Sequence, residues 1–131
     1  MTIAIERRAF FHLVGAGAVI SFAPKAFAHH GWSWAEGEQM ELKGTIRTVS
    51  MAPPHPSLDV TAEDGVLWRV DLANPGQTQR SGFSGDTAKP GDAVTVLGNR
   101  AKDRGKAWMK AVRITIAGKN YDMYPDRIHT R

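Results

Sequence analysis

From Met40 onward, apolar and polar side chains alternate along the chain, and the alternation predicts strands. Met40, Leu42, Gly44, Ile46 and Thr48 fall on one face of a first strand, with Glu41, Lys43, Thr45 and Arg47 on the other. Ala52-Pro53-Pro54-His55-Pro56 stops this strand, because proline has no ladder donor and pushes its predecessor toward extended backbone. Alternation resumes at Leu58-Asp59-Val60-Thr61, turns at Glu63-Asp64-Gly65, and returns over Val66 to Leu72, which reads as a hairpin of strands two and three.

Asn74-Pro75-Gly76-Gln77 then predicts a short helix ending near Gly82, with Asn74 as cap and Pro75 in the first helical position. The turn Lys89-Pro90-Gly91-Asp92 leads into Val94, Val96 and Leu97. Gly98 to Ala107 reads as a polar connection, and Trp108, Lys110, Val112, Ile114 and Ile116 alternate in a last long strand. Trp68 and Trp108 sit in the alternating apolar sets and are expected in the core, and Tyr121 to Pro125 reads as a C-terminal strand or clasp. Strand, strand, strand, short helix, strand, strand is the order of a mostly β, five-stranded barrel of oligonucleotide/oligosaccharide-binding (OB) type, in which the helix plugs the barrel. A small open sandwich with the same strand count is the competing arrangement.

The residues before Met40 follow a different pattern. Arg7-Arg8 is followed by Ala9 and then Phe10-Phe11, and a weakly apolar run reaches Phe22 before Pro24. That run falls short of the roughly 20 apolar residues that span a bilayer. Ala26-Phe27-Ala28 offers the small-x-small pattern of a signal peptidase. Residues 1–28 are therefore expected to be a twin-arginine signal peptide, residues 29–39 an N-terminal arm, and residues 40–131 a single barrel domain in the periplasm. The twin-arginine route carries folded proteins, many of them already holding a metal or cofactor.

Composition narrows the chemistry. The leader's Arg7, Arg8 and Lys25 against Glu6 account for half of the net charge of +4, and the remaining basic side chains are interspersed with acidic ones. No cluster would track a phosphate backbone, so nucleic acid is not an expected partner. There are no cysteines, which excludes disulfides and thiolate metal sites.

Cleavage after Ala28 would leave His29-His30 at the new terminus. A terminal histidine presents its amino nitrogen and ring Nδ1 to one ion, and a second imidazole completes a three-nitrogen T that suits copper. His29, His30 and His55 are the candidate ligands, with His30 or His55 as the second imidazole. For His55 to serve, the arm would have to turn at Glu36-Gly37-Glu38 and run back along the first strand, with a further bend. Met40, Met51 and Met109 are conceivable soft donors, better read as packing. Trp32 and Trp34, two apart, would share one strand face over an open edge of the core. Nothing in the chain has the form of a glycine-framed serine, phosphate loop or paired-histidine zinc helix, so no enzyme activity is expected.

Several of these segments together resemble one family. The leading His29-His30-Gly31-Trp32, the strand Met40 to Ile46, Pro54-His55, Asn74-Pro75 and Lys89-Pro90-Gly91-Asp92 are similar to domain-of-unknown-function family 6152, small exported proteobacterial proteins. The family's pattern is a mature His-His start, a Leu-x-Gly-x-Val/Ile strand, an Asn-Pro-His turn and a Lys-Pro-Gly-Asp turn. Here Pro53 stands where the family tends to have asparagine, so that side chain's role is absent. His29, His30 and His55 fall on the pattern, which carries no assigned activity.

The expectation is an exported binding module with copper as candidate ligand; the alternatives are a non-catalytic protein whose exposed face, with Trp32 and Trp34, docks on another exported or membrane protein, and a binder of a small anion or oligosaccharide at the barrel face. Replacing Arg7 and Arg8 by lysine should block export. Intact-mass analysis of the exported wild type should give His29 as first residue, and any other start removes the terminal-amine ligand.

Overall fold

The computed structural model describes residues 31–129, and its barrel unit begins at Trp34. Six strands follow one another as β1 (Met40–Ser50), β2 (Ser57–Ala62), β3 (Leu67–Asp71), β4 (Ala93–Arg100), β5 (Trp108–Ile116) and β6 (Lys119–Asp122). A helix, α1 (Pro75–Arg80), lies between β3 and β4, and a 3₁₀ turn (Pro125–Arg127) follows β6. The sheet order is β3-β2-β1-β4-β5-β6, and an additional parallel pairing of β3 with β5 closes strands one to five into a barrel. β6 adds an antiparallel hairpin to β5.

β1 is shared between two neighbours, its first half pairing with β4 and its second half with β2. The two sets overlap at Gly44 and Thr45. A Cβ at Gly44 would lie 2.2 Å from the Thr61 carbonyl oxygen. Gly98 in β4 has the same role, its missing Cβ leaving the Lys110 carbonyl oxygen where a side chain would place a carbon 2.2 Å away.

Two irregularities reset the alternation. Ile46 pairs with Val60 and Thr48 with Asp59, so Arg47 is an extra residue in β1. Leu97 pairs with Arg113 and Gly98 with Ala111, so Val112 is an extra residue in β5. Each bulge increases local twist and reverses which face the following residues occupy. Thr48, expected on the core face, is exposed, and Val49 packs against the core instead. In β5 the core residues are Met109, Ala111 and Ile114, whereas Trp108 and Lys110 lie outside the core cluster. The expectation that Trp108 is core is corrected, while Trp68 is buried as expected. Val112 is buried outside the barrel core, and its carbonyl receives the N–H groups of Met123 and Tyr124 at 2.8 and 3.2 Å.

The short helix forms as its sequence dictates. Asn74 Oδ1 accepts the Gln77 N–H at 2.8 Å and Pro75 opens the first turn. Thr78 is the helix's buried residue, its hydroxyl donating to the Ala73 carbonyl. The larger filling group is Phe83, fully buried just after Gly82 at positive φ and edge-on to Tyr121 with centroids 5.7 Å apart. β4 extends to Arg100, further than the expected polar connection allowed, because Asn99 and Arg100 pair with Lys110 and Met109.

Trp34 to Glu36 do not run back along β1. Ala35 bridges Ala101, with Lys102 N–H donating to Trp34 O and Glu36 N–H to Arg100 O, each at 2.8 Å. The segment therefore extends the antiparallel partner of β4 outward, away from Thr45 and Ile46.

Gly44→Ala should destabilise the fold by about 1–3 kcal/mol, through overpacking against the Thr61 backbone. Gly37→Ala, whose Cβ would meet nothing within 4 Å, should stay within about 0.5 kcal/mol. Urea denaturation of the two variants checks the contrast.

Candidate functional site

Register places side chains in rows across the outside of the barrel. Thr48, Asp59, Arg69 and Trp108 stand side by side on β1, β2, β3 and β5, and Ser50, Ser57, Asp71 and Lys110 form the next row. Partners in register share a face. In the first row the Thr48 hydroxyl donates to Asp59 Oδ2 at 2.6 Å.

Asp71 is the centre of this surface. Its carboxylate accepts Trp108 Nε1–H at 2.9 Å on one oxygen and Arg69 Nε–H at 3.0 Å on the other. Those bonds satisfy a carboxylate whose residue is almost fully buried. Beside it Lys110 is 3% exposed, its ammonium 5.5 Å from the Tyr124 ring centroid. Burial pushes the Lys110 ammonium below the ordinary lysine range, Asp71 partly restores it, and Arg127 lowers it further. Burial also raises the Tyr124 phenol, against the lowering effect of Arg127. The C-terminal segment closes over this region, with Gln39 Nε2 donating to the Arg127 carbonyl and His129 N–H donating to Gln39 Oε1.

On the other side of Trp108 lies Trp34, its ring stacked at 3.8 Å with planes 9° apart. Trp32 and Trp34 do not share a strand face, since residues 31–33 are helical and Trp34 lies in the turn that follows. Glu36 then forms a two-pronged pair with Arg104 of the β4–β5 loop, at 2.7 and 3.0 Å. The arm is thus fixed by a ring, a backbone bridge and an ion pair.

The sequence-predicted ligands are distributed differently. His29 and His30 lie outside the described residues. His55 stands in the β1–β2 loop between the cis Pro53-Pro54 bond and Pro56, half buried, with Nδ1 enclosed and without a hydrogen-bond partner. Among the described residues no group of three or more His, Cys, Asp or Glu side chains is placed to hold a metal ion. Met109 is fully buried, Met40 packs on the core, and Met51 is exposed beside Gly85.

Sequence reasoning missed Asp71, Lys110 and the Trp34 stack. The local alternation of Arg69-Val70-Asp71 marked two outward charges, but only the β3–β5 closure puts Trp108 and Lys110 against them.

The lysine yields a pH test. Its folded value lies below that of the unfolded chain, so between the two values the unfolded state binds more proton and stability rises with pH. Relative to Lys110→Met, the wild type should therefore gain stability as pH rises from neutral toward the ordinary lysine value of 10.5. Thermal unfolding of both proteins across that interval checks the slope, and a constant gap contradicts it.

No curated protein matches the chain. A family profile described as a family of unknown function, DUF6152, matches residues 17–110, a span that takes in His29, His30, the arm and β1 through the first part of β5. The chain belongs to this family.

Proposed function

We propose that the protein is an exported, non-catalytic binding module of the periplasm that takes one copper ion at its mature N-terminus. The His29 amine and ring Nδ1 supply two nitrogens, and the His30 imidazole supplies the third. The observation that carries this reading is the position of His29-His30 directly after Ala26-Phe27-Ala28, inside the span matched by the family profile. With no thiol in the chain, nitrogen donors are the natural choice for Cu(II). The role of the barrel is then to hold the arm through Trp34, Ala35 and Glu36 a few residues beyond the ligands. His55 remains a barrel-loop residue in this reading.

A second reading, docking on another exported or membrane protein, draws support from Val66 and Leu67, which are 43% and 50% exposed at the β2–β3 turn.

Titrating the processed protein with Cu(II) should show one site with Kd below about 1 μM. One extra residue before His29 should weaken it roughly tenfold or more, by removing the free amine as a ligand. His55→Ala should leave it unchanged. Equal affinity in the extended form sinks the terminal-amine site, and absence of any copper binding moves the docking reading to first place.

A further inference from the structure

The arm residues occupy a site built wholly from distant parts of the chain. Trp34 lies on the Trp108 ring of β5, Trp34 O and Glu36 N–H bond the backbone of Lys102 and Arg100, and Glu36 pairs with Arg104 of the β4–β5 loop. Together these select an extended aromatic–small–acidic segment: a ring for stacking, a small residue at the bridge with Ala101, and a carboxylate for the guanidinium.

Residues 37 to 39 join this segment to β1. Residues 37 and 38 are exposed, and a Cβ at Gly37 would meet nothing within 4 Å. A single group, Asn99 Nδ2, faces three hinge carbonyls, those of Glu36, Gly37 and Glu38, at 2.8, 3.3 and 3.5 Å. The Asn99 Oδ1 beneath the hinge is buried and has no hydrogen-bond partner. A cleft of about 310 Å³ lined by Glu36, Glu38, Gln39, Met40, Arg100 and Arg104 flanks the hinge. The hinge is thus held by one β4 side chain, while the docked segment beyond it is fixed by a ring, a backbone bridge and an ion pair.

We propose that the site takes the Trp34-Ala35-Glu36 segment of a second copy of the chain, so that two barrels exchange arms. Every contact of the docked segment is the same in the exchanged dimer as in the monomer. Only the hinge path changes, and its residues 37 and 38 are exposed, with room for a side chain at Gly37. The exchange needs no other surface and is independent of whether the N-terminus holds copper.

Charge reversal tests this with folded proteins, because Glu36 and Arg104 pair on the surface. Glu36→Arg alone and Arg104→Glu alone each put like charges at the site. In a mixture, reciprocal exchange places each altered arm against the oppositely altered loop and restores both pairs. Sedimentation of the metal-free, processed full chain should give a dimerisation constant for the mixture about tenfold or more above that of either variant alone. Near-UV circular dichroism should recover the stacked-indole band in the mixture. A mixture no more dimeric than its components overturns the proposal. So does deletion of Gly37 and Glu38, expected to force exchange, if it yields a monomer with the indole band lost.

Discussion

The barrel depends on a seam of three residue pairs. Arg69, Val70 and Asp71 of β3 meet Trp108, Met109 and Lys110 of β5 in parallel, and without that contact the sheet would remain open. So short a ladder supplies little by backbone bonding alone. Its inner side is sealed by Val70 and Met109, both fully buried, and its outer side by the Asp71 carboxylate bonded to the Trp108 indole. The seam thus couples an apolar contact inside to a polar, low-dielectric contact outside, where an unpaired carboxylate would be costly.

Residues near both ends of the described segment reach this seam. The arm lays Trp34 on Trp108, and the C-terminal segment brings Tyr124 over Lys110. Gln39, at the junction of arm and β1, holds the backbone of that segment through Arg127 and His129. These layers explain why a lysine is buried at 3% exposure on the outer surface of a small barrel. In sequence, the His29-His30 pair proposed as the ligand site shortly precedes Trp34.

Much of the fold was legible in the chain. The five barrel strands, the short helix with its Asn74 cap, and the glycine at the β2–β3 turn follow from local rules, since period-two patterning, capping and positive φ act over a few residues. The bulges at Arg47 and Val112 were not legible, because an extra residue is detected only by comparing a strand with its partner. The misassignment of Trp108 to the core follows directly, and so does the misplacing of Thr48. The path of the arm was hidden for the same reason: Ala35 reveals nothing of its bridge to Ala101, and Glu36 nothing of Arg104, until β4 is in place.

The sequence by itself determined the mostly β barrel, the family likeness and the histidine pair that carries the copper proposal, because alternation, turn chemistry and residue type are properties of short segments. Only the tertiary structure decided that Asp71, Trp108 and Lys110 form one cluster and that Trp34 is stacked instead of lying on a strand. Those contacts join residues far apart in the chain, and their geometry is fixed by register across the seam and by two bulges that reverse the facing of everything after them.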